Sequence, residues 1–193
     1  MASINVEVVR EYLEHKAFFV RLLKKFVLTG AEKDEMAAID LACWNPNNNV
    51  YEDDSLPFVL DGISTCGVSR AIVGIRGWHT DVFSPSVLVS FPQIFNFVEL
   101  NEKRVSKTFF NGLDFKRILV VPMLPQREQI RERSIQMLIQ RNVTHVLEFR
   151  TLLMELAEES EINRNYIESD ILQILRLLKR YDCLKGKQLE LFE

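Results

Sequence analysis

The stretch Met36-Ala37-Ala38-Ile39-Asp40-Leu41-Ala42-Cys43-Trp44 is apolar except for one acid, and Asn45-Pro46-Asn47-Asn48-Asn49 stops it. A run this short, bounded by turn residues, suits a buried strand better than a helix. A second run, Ser69 to His79 (SRAIVGIRGWH), reads as the other strand of a hairpin-like pair, and Arg117 to Leu124 (RILVVPML) reads as a buried strand closed by Pro125. Outward from these, Val6, Val9, Tyr12 and Leu13 keep the 3-4 spacing of an amphipathic helix. The following Ala17-Phe18-Phe19-Val20 reads equally well as a turn into a strand. Pro57 to Leu60 suits a short edge strand before Asp61-Gly62, and Ser84-Pro85 a helix start, with helix continuing in pieces towards Phe110. Helix is expected from about Arg127 to Arg141, strand from His145 to Phe149, then helix to nearly the end, because only Gly186 and no proline follows Pro125. The order is α-β-β-α-β-α-β followed by helices, an α/β class with helices on both faces of a mixed sheet. Residues 1–150 are read as the α/β domain, 151–187 as a helical extension packed on it, and 188–193 as a tail peptide, with no linker marking the boundary near Arg150.

Composition narrows the function. The chain has 193 residues, 47% hydrophobic and 26% charged, a globular profile. The 24 basic and 27 acidic residues, net −3, exclude a wholesale polyelectrolyte binder. Three scattered cysteines, Cys43, Cys66 and Cys183, argue against a disulfide framework and for a reducing, cytoplasmic setting. No apolar run approaches the ~18 residues of a membrane span, and a start carrying Glu7, Glu11 and Glu14 is unlike a signal peptide. Seven glycines leave almost nowhere for a Gly-rich phosphate loop. There is no motif for a nucleophilic triad, a zinc site or a dinucleotide fold, and His15, His79 and His145 stand isolated along the chain. The charge is unevenly spread: residues 1–100 carry 8 basic and 13 acidic side chains, residues 101–150 carry 10 and 5, and residues 151–193 carry 6 and 9. The middle block therefore supplies candidate contacts to a phosphate backbone, Lys103, Arg104, Lys107, Lys116 and Arg117. Arg127, Arg131 and Arg133 belong to it too, but with Glu128 and Glu132 they also make ordinary helix-surface pairs.

Three segments carry a family resemblance: Tyr12-Leu13-Glu14-His15-Lys16-Ala17-Phe18-Phe19-Val20-Arg21, then Ala38-Ile39-Asp40-Leu41-Ala42, then Ala71-Ile72-Val73-Gly74-Ile75-Arg76-Gly77-Trp78-His79. In this order they resemble the PD-(D/E)xK nuclease superfamily, the restriction-endonuclease-like fold. Its members open with a helix reading roughly YLxxxGFxV, present an IDLxx strand, and end the next strand in V-E-x-K-G. The resemblance covers Val6 to His79 by motif and extends to Phe149 by element order. It implies a restriction-endonuclease-like mixed central sheet flanked by helices and metal-dependent phosphodiester hydrolysis on DNA. Such chemistry needs a divalent cation, Mg²⁺ or Mn²⁺, held by one or two carboxylates, to bear developing charge and activate water. Carried over by position, Asp40 is the first metal carboxylate, while the second falls on Gly74 and the lysine on Arg76. Arg76 keeps the charge and grips phosphate, but an arginine holds its proton too firmly to serve as a proton shuttle. Substitute carboxylates are available from Asp61, Asp81 or the Glu52-Asp53-Asp54 loop, and His79, just past the second strand, is placed to touch phosphate. Asp40 and Arg76 are expected side by side at one sheet edge. Trp78 is a base-stacking or a core residue.

Two readings follow: a metal-dependent nuclease with a rearranged site, or a non-catalytic nucleic-acid-binding or scaffolding relative. A third uses the C-terminal helices for self-association, through the stripe Ile171, Leu172, Ile174, Leu175 and Leu178, with Leu177; core packing explains that stripe equally well. Finally, Gln188-Leu189-Glu190-Leu191-Phe192-Glu193 is similar to the QL(S/D)LF peptide with which bacterial proteins dock on the DNA polymerase sliding clamp. Gln188, Leu189, Leu191 and Phe192 match, and Glu190 replaces the usual Ser or Asp.

Overall fold

The computed structural model describes residues 4–23, 38–48 and 56–184. The first helix, α1 (Ile4–His15), buries Val8, Val9, Tyr12 and Leu13, one face at helical spacing. It stops at Ala17, whose φ of 64° is left-handed, and Phe18 N–H returns to Leu13 O at 2.9 Å. The turn delivers β1 (Phe19–Leu22), so the ambiguous run resolves as turn and strand.

Next come β2 (Leu41–Trp44), the short α2 (Gly62–Cys66) and β3 (Arg70–Ile75). They are followed by α3 (Pro85–Ser90), a single 3₁₀ turn Pro92–Phe95, α4 (Glu102–Phe110) and β4 (Lys116–Val121). The remainder is α5 (Glu128–Gln140), β5 (His145–Glu148), α6 (Phe149–Glu159) and α7 (Asp170–Arg180). The sheet holds five strands in chain order. β1, β2 and β3 pair antiparallel, with Phe19 opposite Trp44 and Leu41 opposite Val73. β3, β4 and β5 pair parallel, with Val73 opposite Ile118 and Ile118 opposite His145. β2 thus runs against the other four. The three segments expected as strands are its three central strands. The segment around Val59 adds one parallel bridge to Val146 beyond β5, all that forms of the expected edge strand.

Period-two alternation sends Val73, Ile75, Ile118, Val120 and Leu147 to one face, under α1, α6 and α7. Ile72, Leu119, Val121 and Val146 point to the other face, with Phe83, Phe95, Phe97 and Phe110 from the segments between β3 and β4. Leu152, Leu156, Leu172 and Leu175 share the first layer with α1, so the C-terminal helices are part of the core. Those helices are not continuous. α6 ends at Ser160, and α7 begins after Ser169, whose hydroxyl caps Leu172 N at 3.2 Å. No proline or glycine marks that break; the asparagines 163 and 165 and the serine cap do.

Candidate functional site

Because β2 and β3 are antiparallel, the residue before β2 and the residue after β3 meet at the same end of the sheet. They are Asp40 and Arg76. Asp40 Oδ2 accepts the Ile75 N–H at 2.7 Å and Arg76 Nη1 at 3.3 Å. Both side chains are largely buried, at 5% and 12% exposure. The guanidinium also donates to Ile75 O at 3.0 Å and to Ile94 O at 3.1 Å, and lies over the Phe97 ring. Burial pulls Arg76 below the ordinary arginine range while the adjacent Asp40 carboxylate opposes that shift. This is the carboxyl end of the parallel strands, where open α/β sheets place their ligand crevices.

Gly74 faces the space beside Asp40, and that space is filled. A Cβ on Gly74 would stand 2.7 Å from Phe97 Cδ1, and Phe97 is fully buried. The position where the resemblance implies a second carboxylate therefore carries the ring of Phe97 against bare backbone.

The other candidate ligands lie elsewhere. The exposed Asp61 caps α2, accepting Ser64 N at 2.8 Å and Ser64 Oγ at 2.7 Å, and these bonds hold its carboxyl below the usual range. Asp81 sits in the turn after β3, its N–H bonded to Trp78 O. Among the described residues no three His, Cys, Asp or Glu side chains come together as a group able to hold a metal ion. With Asp40 taken by a backbone N–H and an arginine, the described residues do not fit a carboxylate site for Mg²⁺ or Mn²⁺. The Glu52-Asp53-Asp54 loop lies outside the described residues, as does the tail 188–193.

His79 is exposed at this end. Its Nε2 is 2.9 Å from Asn5 Oδ1, its ring meets Phe149 edge-on at 4.7 Å, and Asn5 Nδ2 donates to Gly77 O at 3.4 Å. These contacts fasten the start of α1 to the loop after β3. Trp78 is half-buried between Phe83 and Phe91, with ring centroids at 5.8 and 5.2 Å, which is a packing role.

The cations divide between the two ends. Lys116 and Arg117 open β4, about 13 and about 10 Å of strand from Val120 at ~3.3 Å per residue, and Val120 O is the acceptor of Arg76 N–H. Arg117 pairs with Glu102 at 3.0 Å and lies over Phe115, so α4, with the exposed Lys103, Arg104 and Lys107, joins this far end. The cluster at the Asp40 end is the other one: Arg131 holds Glu148 at 3.2 Å, and Arg127, just before α5, and Arg133, within it, are exposed. The far end also has aromatic walls that the linear reading does not assemble. Phe19 and Trp44, neighbours on β1 and β2, stand with ring centroids 5.8 Å apart, and the Arg21 guanidinium lies over Phe109. Together with Ala42 and Phe110 they line an open cleft of about 200 Å³. The strand alternation of Phe19 and Arg21 was the available signal; their meeting with α4 needs the tertiary fold.

Scans against protein-family models, curated proteins and solved structures find no match to this chain.

Proposed function

We propose that this chain is a nucleic-acid-binding protein of DNA metabolism, built on the restriction-endonuclease-like plan with its nuclease centre closed. Supporting the plan are the opening helix, the antiparallel pair β2-β3 that carries Asp40 and Arg76, and the parallel β4, while β1 is a strand within the segment that the resemblance reads as the end of the helix. The observation that carries the reading is the meeting of Asp40 and Arg76 at the strand ends with Phe97 seated on Gly74. It is where the resemblance locates phosphodiester hydrolysis, and it is filled by an ion pair and a ring. The cations of residues 103–117 supply the phosphate contacts, and the tail 188–193 supplies a docking peptide for the sliding clamp.

The test has two arms. Supercoiled plasmid incubated with the protein and Mg²⁺ or Mn²⁺ should remain uncut, while gel retardation should show DNA binding that weakens steeply with salt. Charge reversal at Lys103 and Lys107 should weaken that binding across all sequences alike. Metal-dependent nicking abolished by Asp40→Ala would replace this reading with an active nuclease. Failure to retain any nucleic acid at low salt would sink it in favour of a scaffold.

A further inference from the structure

Phe19 and Trp44 are exposed by 66% and 44%, although both stand on the sheet face that α4 covers elsewhere. α4 ends too early to cover them. It stops at Phe110, where Asn111 turns left-handed at φ 53°, and leaves Phe109 as the far wall of the cleft. The rings of Phe19, Trp44, Phe109 and Phe110 line it, and Arg21 presents its guanidinium over Phe109 at 5.7 Å. Arg70 stands beside Trp44 in the β2–β3 register, fixed by its Nε to Asp114 O at 2.8 Å. Lys103 and Lys107 project into solvent from α4. Aromatic faces flanked by cations suit an occupant with π-faces and negative charge. An apolar peptide would leave the cations unused.

We propose that this cleft stacks the unpaired bases of single-stranded nucleic acid, with Trp44 and Phe19 as the platform and Arg21 and Arg70 towards the backbone. The proposal rests on the nucleic-acid reading above and names its substrate class. In a duplex the base faces are already stacked on each other, whereas a single strand offers a face to each ring. The site is therefore selective for strand state and tolerant of sequence.

The chain has two tryptophans, which makes the test direct. In a Trp78→Phe variant, Trp44 is the sole indole reporter. Titration with an oligothymidylate should quench its fluorescence, and a duplex of mixed sequence should quench it far less. Trp44→Ala should weaken oligothymidylate binding by about tenfold or more while duplex retention changes less than twofold. Trp44→Phe should restore most of the loss, and circular dichroism checks that each variant is folded. If the protein retains nucleic acid but the Trp44 signal stays flat and Trp44→Ala binds like the parent, the stacking site is wrong and the broader reading stands. If the folded parent retains neither strand form, both fall.

Discussion

At the scale of single residues, Gly74 and Phe97 decide whether the second carboxylate that the resemblance implies has room in this fold. Restoring the motif by Gly74→Glu with Arg76→Lys forces a side chain into the Phe97 ring, and overpacking of this kind destabilises by about 1–3 kcal/mol. The double variant should unfold at lower denaturant and remain inert with Mg²⁺. Adding Phe97→Ala makes room, so a metal-dependent rise in melting temperature is expected in the triple variant alone. The Asp40–Arg76 pair behaves as a buried unit: Arg76→Ala removes the cationic partner of a buried carboxylate, a loss of about 3–5 kcal/mol. Asp40→Asn combined with Arg76→Met should lose less than Arg76→Ala alone in urea unfolding. His145 adds a pH dependence. It is buried, its Nδ1 is 3.1 Å from Pro57 O, and its Nε2 has no hydrogen-bond partner among the described residues. Burial pulls it below its ordinary 6.5, the Pro57 bond opposes this, and Lys116 adds to it. Above 6.5 both folded and unfolded states are neutral there and nothing changes. As pH falls through about 6.5 the unfolded chain takes up the proton first, so stability drops as the solution is acidified below that point. A melting series from pH 7 to about pH 5 should show that slope, and His145→Asn should flatten it.

At the scale of elements, what the sequence disclosed and what it hid have different physical origins. The three central strands were legible because a strand buried on both faces must be apolar in a run. The junction of α1 with β1 was legible only as an alternative, because Ala17 occupies a left-handed position that normally announces itself with glycine. That substitution is testable: Ala17 is exposed, so Ala17→Gly changes little but the backbone, and it should raise stability by up to about 1 kcal/mol. The break between α6 and α7 was hidden because polar asparagines and a serine cap do the work of a proline. The Asp40–Arg76 contact was legible from the motif spacing, which fixes the same end of two adjacent strands. What fills the space beside it was not. Phe97 arrives from a loop far along the chain, and no local pattern records its approach to Gly74. The cations likewise could be counted in sequence but not sorted between the two ends of the sheet.

At the scale of the whole molecule, the apolar stripe of α7 divides between two environments. Leu172 and Leu175 complete the first core layer, and Ile171 and Leu178 are half-buried, whereas Ile174 and Leu177 are exposed by 52% and 41%. Leu184 packs on the same layer. The residues that resemble a clamp-docking peptide, Gln188 to Phe192, follow after Lys185-Gly186-Lys187, a hydrophilic spacer. Their three large apolar side chains, Leu189, Leu191 and Phe192, gain nothing in water, and a few such anchors in a preformed groove suffice for a peptide contact. On a ring-shaped clamp with several equivalent grooves, a DNA-bound protein would add avidity to that weak contact. Deleting residues 188–193 should therefore leave the melting temperature within about 1 °C, a shift that corresponds to only a few tenths of a kcal/mol for a chain of this size. The same deletion should abolish binding to a purified bacterial sliding clamp in a titration, and Leu191→Ala with Phe192→Ala should do likewise. A fall of several degrees in melting temperature, with no clamp binding by the intact chain, would assign the tail to the core instead.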